Sequence, residues 1–309
     1  MKARLMYKLC WLGLLVLCLP IQSYGWNRAG HMVTGSVAYR QLKASSRKDL
    51  VQVLSILRQH PEYQSRWAPR LNDRNLSEDE RDEYLFMLAA RWPDDIRSIN
   101  RYHHSTWHYI NYYYAPEQGI ARTDTILPSG ETILQAYDQN LSVLSGHAPD
   151  STKAIALCWI FHLVGDIHMP LHTVAMVTSQ YPKGDQGGNL VRIKVKPDGQ
   201  TIGLHGFWDD LVQHSDDFRS ASQTAIKISH AVSKRDRRRS RRGQMGDWAK
   251  DSFRLAVEKA YRNGTIRGST DPNNGTLLPA DYITTTEPVA ERQAALAGLR
   301  LAKVLKTAV

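Results

Sequence analysis

The sequence predicts a mainly α fold: a single helical domain carrying one short β-hairpin. Three observations predict it. Apolar residues recur at spacings of three and four over most of the chain, which gathers them on one face of a helix. Capping residues and acids stand where such helices would begin. Only residues 189–204 alternate as a strand does, with Leu190, Ile193 and Val195 ahead of a Pro197-Asp198-Gly199 turn.

The first helix is expected over residues 33–42. Ser77, followed by Glu78, Asp79 and Glu80, is an N-cap with acids in the first turn. The helix it starts carries Tyr84, Leu85, Met87 and Leu88 on one face. It should stop before Pro93, because proline disfavours helical backbone in the residue before it. Ser129 is expected to cap a helix over 131–144, marked by Glu131, Ile133, Leu134 and Tyr137. A long apolar helix covers 152–167, and three more cover 226–232, 248–261 and 288–305. Residues 112–128 and 264–286 read as loops. No Pro/Gly/Ser-rich linker divides the chain and no internal repeat is present, so residues 26–309 read as one domain.

Lys2, Arg4 and Lys8 precede an apolar run over residues 9–19, which Pro20 breaks; Ser23-Tyr24-Gly25 then supplies small residues. A bilayer core of ~30 Å needs about 20 apolar residues, more than this run offers. Residues 1–25 therefore read as a cleaved secretory signal rather than a retained anchor, which makes the protein periplasmic or secreted. No later segment is apolar enough to cross a membrane, so no stable membrane association is expected. Nothing indicates a protein partner. Cys10 and Cys18 fall in the signal, leaving only Cys158, which reads as a small core residue. An exported chain without disulfides is held together by its core, by metal, or by both.

The formal charge is +10. The first 25 residues carry three basic residues and no acid, and residues 234–242 carry seven basic residues and Asp236. The rest is close to neutral. The basic run reads either as a polyanion attractor or as a solvated helix end, since no aromatic is interleaved for base stacking.

The strongest chemical signal is His162-Leu163-Val164-Gly165-Asp166-Ile167-His168-Met169-Pro170-Leu171-His172. His162 and Asp166 are four apart, so on a helix they share a face and can hold one metal between them. Pro170 bends the chain ahead of His172. Imidazole and carboxylate are good zinc ligands, and burying them without a partner in an otherwise apolar stretch is costly. His205 and Asp209 repeat the spacing of four. A third cluster holds Asp94, Arg97 and His108, where the planar fork of Arg97 suits a phosphate. Lastly, removal of residues 1–25 would free the amino group of Trp26. Its pKa of about 8 allows a metal to displace the proton, and His31 lies close in sequence. An ordinary exposed N-terminus is the alternative.

Taken in order, these motifs resemble the fungal and plant single-strand-specific nucleases, the S1/P1 or 3′-nucleotidase/nuclease family. Shared features are the Trp at the mature N-terminus, W-x-D-x-x-R, W-H-Y-I-N, H-x-x-G-D-x-x-x-P-L-H, G-G-N and L-H-x-x-W-D, from Trp26 to a C-terminal Glu291-Arg292-Gln293 helix. The resemblance implies the helical fold shared with zinc-dependent phospholipase C, and three zinc ions. Asp94, His108, His162 and Asp166 would hold the first. His172, His205 and Asp209 would hold the second. Trp26, through its amino and carbonyl groups, His31 and the bridging Asp166 would hold the third.

The resemblance also implies the chemistry. Zinc would acidify a water for in-line attack on phosphorus, with Asp94 orienting it and Arg97 stabilising charge. The leaving 3′-oxygen makes products that end in 5′-phosphate. Substrates would be single-stranded DNA or RNA and 3′-nucleotides. Tyr109 is either a stacking face for an unstacked base or a core aromatic, and Asn111 and Asn189 fall at base-binding positions. Departures are Met169 before Pro-Leu-His, Gly203 before Leu-His, Asn111 where the fungal enzymes place an Asp, and the missing cysteines, which suggest a bacterial-type branch. Two other readings stay open: a phospholipase C, whose last ligand pair is usually H-x-x-x-E, and a zinc- or nucleic-acid-binding protein without turnover.

Overall fold

The computed structural model describes residues 26–97, 101–128 and 130–308. The signal read over residues 1–25 and the cap assigned to Ser129 lie outside the described residues. Eleven α-helices and two small sheets make up the described part.

Helix α1 (Arg28–Ser45) starts earlier than the apolar spacing suggests, because Asn27 caps it by accepting from the Gly30 N–H at 2.7 Å. Its residues from Ala29 to Tyr39 are all buried, so it is a central strut rather than an amphipathic surface helix. Helix α2 (Arg47–Leu57) follows directly. A π-helical turn (Tyr63–Trp67) and α3 (Ala68–Leu71) lead into α4 (Glu78–Asp95). Ser77 does cap α4, in a reciprocal capping box with Glu80.

The expected stop before Pro93 is wrong: α4 runs through it to Asp95. Pro93 forfeits only one hydrogen bond near the helix end. Fully buried Trp92, whose Nε1 donates to Glu62 at 2.9 Å, and the Ile96 N–H to Trp92 carbonyl bond hold the last turn. This continuation puts Asp94 on α4.

Helix α5 (Ile133–Ser145) is capped by Thr132 in a box with Gln135, two residues later than the expected start. Helix α6 (Asp150–Asp166) is buried on every side from Ala156 onward. The hairpin is present as β4 (Arg192–Lys194) and β5 (Ile202–Gly203). After it come α7 (Leu204–Asp209), α8 (Phe218–Ala231), α9 (Lys234–Ser240), α10 (Met245–Leu255) and α11 (Tyr282–Ala308). Helix α8 starts eight residues before the expected bound, since Asp217 caps it through the Ser220 N–H. Residues 256–260 continue α10 as a π turn. Helix α11 begins ahead of Pro288.

Two segments read as loops contain strands. Within 112–128, β1 (Tyr112–Ala115) pairs antiparallel with β2 (Ile120–Ile126) and parallel with β3 (Val174–Met176). Within 264–286, β6 (Thr276–Leu277) pairs parallel with β4. Both parallel partners lie far away in sequence, so no local pattern marks them.

Among the described residues no helix is long and apolar enough to cross a membrane. Cys158 is a free, buried core residue.

Candidate metal centre

The buried starts and ends of α1, α4, α6 and α7 converge, and each brings polar side chains. From α1 comes His31, from α4 Asp94 with Arg97 just beyond it, from α6 His162 and Asp166, and from α7 His205 and Asp209. His108 ends a 3₁₀ turn (Ser105–His108), and His172 sits in another (Pro170–Thr173). All eight predicted side-chain ligands are essentially inaccessible.

They form three donor sets, the first two sharing His162: Asp94, His108 and His162; His31, His162 and Asp166; and His172, His205 and Asp209. Four tetrahedral donors about 2.0–2.2 Å from a shared ion would lie roughly 3.3–3.6 Å apart. In the first set His162 Nε2 is 2.9 Å from His108 Nδ1, 3.1 Å from Asp166 Oδ2 and 3.6 Å from Asp94 Oδ1. His108 Nδ1 is 3.0 Å from Asp166 Oδ2. In the second set His31 Nε2 is 3.1 Å from Asp166 Oδ1. In the third His205 Nε2 is 3.2 Å from His172 Nε2 and 3.7 Å from Asp209 Oδ2. Most of these donors lie a few tenths of an ångström closer together than ions would set them, so small outward shifts would bring each set to ligating distances. Asp166 offers one oxygen to each of the first two sets, as a bridging carboxylate does.

Tautomers agree with ligation. His162 Nδ1 donates to the Ala90 carbonyl at 2.9 Å and His205 Nδ1 to the Gly187 carbonyl at 2.6 Å. His172 Nδ1 donates to the His108 carbonyl. An Nδ1 engaged in this way leaves Nε2 turned to the centre, the nitrogen that a cation would take in place of a proton. Several buried atoms of these residues make no hydrogen bond: both ring nitrogens of His31, His108 Nε2, Asp94 Oδ2, Asp166 Oδ1 and both oxygens of Asp209. His31 Nε2 and Asp166 Oδ1 are close enough to interact, at 3.1 Å. Leaving so many buried polar atoms without a partner would cost several kcal/mol, which bound cations would relieve.

The acids differ. Burial opposes ionisation of Asp94, but His162 and Arg97 outweigh it and bring its pKa down to about 2. Burial also opposes Asp166, yet His162 and His172 hold it well below the usual range. Asp209 is pushed up by burial, Asp210 and Asp166, a preference that a cation in the third set would invert. Burial lowers His108 to about 4 and lowers His31.

Arg97 is nearly buried, with its Nε donating to Asp94 Oδ1 at 2.9 Å. Trp26 is fully buried at the head of α1. The Asn27 N–H donates to the Asp209 carbonyl at 3.3 Å and Asn27 Nδ2 to Asp210 at 2.6 Å, which tethers this end of the chain to α7.

Beside the third set opens a cleft of about 360 Å³. Half-buried Tyr109 and Asn111 and exposed Gln186 and Lys183 contribute to its wall, together with His205 itself. Asn189 lies outside this wall and closes its own loop by donating to the Gln186 carbonyl at 2.8 Å. Gly187, at φ +60°, lets that loop approach: a Cβ there would lie 2.4 Å from the Leu171 carbonyl oxygen. Sequence reasoning missed Lys183 and Gln186, which no local signal marks. It also missed Asp185, which anchors the loop by accepting from the Tyr261 hydroxyl at 2.5 Å and the Met176 N–H at 2.8 Å.

A helical bundle whose core ends in histidine and aspartate donors spaced for several metal ions defines a metal-dependent hydrolase architecture. The S1/P1 nuclease family matches residues 26–309, and the chain belongs to that family. It is therefore an enzyme that hydrolyses phosphodiester bonds. Nuclease S1 of Aspergillus oryzae is 25% identical over 300 residues, covering 93% of this chain and 92% of its own. Endonuclease 3 of Arabidopsis thaliana is 26% identical over 247 residues, covering 71% of this chain and 75% of its own. Endonuclease 1 of the same plant is 22% identical, covering 95% and 90%. Between nuclease and phospholipase C, the family match favours the nuclease.

Proposed function

We propose that the protein is an exported zinc-dependent endonuclease and 3′-nucleotidase. It cleaves single-stranded DNA and RNA to products ending in 5′-phosphate. The observation that carries this reading is the convergence of eight buried histidine and aspartate side chains in three donor sets, two of them sharing His162.

Asp94, His108, His162 and Asp166 would hold one zinc; His172, His205 and Asp209 a second; His31, Asp166 and the main chain of Trp26 a third. Bound zinc would supply an acidified water at neutral pH and neutralise charge on the phosphoryl oxygens. The chain's own groups do the rest. Asp94, held ionised, would orient that water. Arg97, fixed against Asp94, would bring its positive charge to a phosphoryl oxygen as charge grows there. Tyr109 presents a ring to a base in the cleft, and Asn111 offers both an acceptor and two donors to its edge. Asn189 acts by shaping the loop that carries Gln186 and Gly187. A stacked duplex cannot deliver a base into this cleft, hence the single-strand preference. Removal of residues 1–25 and export rest on the basic start, the apolar run over residues 9–19 and the small residues of Ser23-Tyr24-Gly25.

The test is hydrolysis by the zinc-loaded, N-terminally verified protein of single-stranded DNA, duplex DNA, RNA, 3′-AMP and phosphatidylcholine, repeated after chelation. Cleavage of the single strands to 5′-phosphate ends, reversed by chelator, is expected. Turnover of phosphatidylcholine alone, or full activity without metal, would overturn the reading.

A further inference from the structure

The basic run of residues 234–242 forms α9, and α9 lies against α11 beside the end of α1. There the three helices enclose a cleft of about 430 Å³. Arg237 and Arg241 enter it from one side, Lys303 and Lys306 from the other, over a floor of Leu299 and Ala302; no carboxylate lines it. The neighbouring acids are already engaged. Asp236 pairs with Arg292, and Asp251 pairs with Arg239 at 2.6 Å. Among the described residues Arg237, Arg241, Lys303 and Lys306 form no ion pair. Their recorded bonds go to neutral acceptors: Arg237 to the Ser229 carbonyl at 2.9 Å, Lys303 to the Arg241 carbonyl at 3.0 Å, Lys306 to the Ser45 carbonyl at 3.4 Å.

Four like charges around one cleft repel each other through solvent, Arg237, Arg241 and Lys303 being exposed, and an anion would relieve that repulsion. The C-terminal ends of α1, α9 and α11 also face this region. Each helix end carries about half a negative charge, so together they offset roughly one and a half of the four cations and leave a net positive field. Charge-assisted bonds to phosphate oxygens are about twice as strong as bonds to neutral carbonyls, so an anion displaces the present acceptors readily.

We propose that this cleft is a second binding site for the phosphate backbone of a single-stranded polynucleotide, remote from the metal centre. It rests on the nuclease reading above. Ser45 lies fourteen residues along α1 from His31, a separation of about 20 Å at 1.5 Å per residue. A mononucleotide held at the metal centre cannot reach that far, whereas a long strand can occupy both places. The absence of aromatic lining makes the site blind to bases: it holds backbone, not sequence. Its function is to retain a long substrate between cuts.

The test compares the intact zinc-loaded enzyme with a variant carrying Arg237→Gln, Arg241→Gln, Lys303→Gln and Lys306→Gln. A second variant, Arg237→Lys with Arg241→Lys, keeps the charge. Binding is read by anisotropy of a labelled phosphorothioate single strand several dozen nucleotides long, across a range of salt. Removing four phosphate contacts should lower the magnitude of the log Kd against log salt slope by about 3 and weaken binding at least about tenfold at low salt. The charge-keeping variant should retain the slope. Hydrolysis of a dinucleotide should be the same in all three proteins.

Unchanged strand binding in the neutral variant overturns the proposal while leaving the nuclease reading intact. Strong, salt-dependent binding through the cleft by a protein that cuts nothing has the opposite meaning: the cleft stands and the nuclease reading falls. Equal loss on strand and dinucleotide means that the cleft serves the fold, and overturns it. Loss of binding to phosphatidylglycerol–phosphatidylcholine vesicles with strand binding intact assigns the cleft to a lipid surface, which overturns it too.

Discussion

The imidazoles of His31 and His162 stack with centroids 3.8 Å apart and planes 20° from parallel, and each points its Nε2 at a different oxygen of Asp166. The rings come from α1 and α6, so the stack records how closely those helices pass. Gly165 permits the approach: a Cβ at that position would lie 2.8 Å from His31 Nδ1. The glycine of the H-x-x-G-D motif is thus explained by the ring that crosses it.

Gly165→Ala follows as a prediction. The His31 ring cannot retreat, because His162 blocks one face and Asp166 fixes its edge. The added methyl should tilt it away from Asp166 while the rest of α6 stays helical, since alanine is the better helix former. Misorienting a ligand typically costs about 10–100-fold in metal affinity or activity. The check is metal content by mass spectrometry after dialysis, with circular dichroism as the control for folding. Full metal retention with unchanged rate would show that His31 tolerates the shift and contributes nothing to metal binding.

Asp185 supplies a pH prediction away from the donor sets. Burial pushes its pKa from 3.8 up to about 6, and bonds from the Tyr261 hydroxyl and the Met176 N–H only partly offset this. The folded state therefore binds this proton more tightly than the unfolded state. The stability it contributes is fully present below about pH 4 and is lost as pH rises through 6. A shift of this size is worth at most roughly 3 kcal/mol. Asp185→Asn keeps the shape and removes the titration. The stability difference, wild type minus variant, should fall by up to that amount between pH 4 and 7 in urea melts. The paired acids titrate identically in both proteins and cancel. A difference that stays flat across that range would mean Asp185 is ionised throughout.

Which parts of this molecule were legible in the sequence follows from how local their causes are. The Ser77 cap was readable because its partner, Glu80, is three residues away. The donor residues were readable because histidines and aspartates in apolar runs demand a partner, and a spacing of four fixes their shared face. The β1–β3 pairing was not, because Tyr112 meets Val174 across sixty residues and Tyr112-Tyr113-Tyr114-Ala115 shows no alternation. The passage of α4 through Pro93 was also hidden, since buried Trp92 and its bond to Glu62 decide it. The cleft wall stayed invisible for the same reason. Lys183 and Gln186 sit on a loop that Tyr261, more than seventy residues on, holds in place through Asp185.

The most discriminating prediction concerns the first residue of the family match. Trp26 is fully buried beside α7, and the Asn27 N–H is bonded to the carbonyl of Asp209, itself a donor of the third set. Its neighbour in the other direction is Gly30, where a Cβ would lie 2.9 Å from Trp26 Cβ, so the head of α1 is packed without slack. If removal of residues 1–25 frees the Trp26 amine, that amine and its carbonyl can complete the set of His31 and Asp166. One additional residue converts the amine into an amide, a poor ligand, and occupies the space of the chelate. A form beginning Met-Trp26 should therefore fold, keep the ion at His172, His205 and Asp209, and bind about one zinc fewer than the form beginning at Trp26. Its melting temperature should also fall, because metal binding energy is folding energy. Intact-mass spectrometry fixes each N-terminus, and zinc content, melting temperature and rate on single-stranded DNA are then compared. Equal zinc and equal melting temperature in the two forms would remove Trp26 from the metal centre and leave a two-ion enzyme built on the side chains alone.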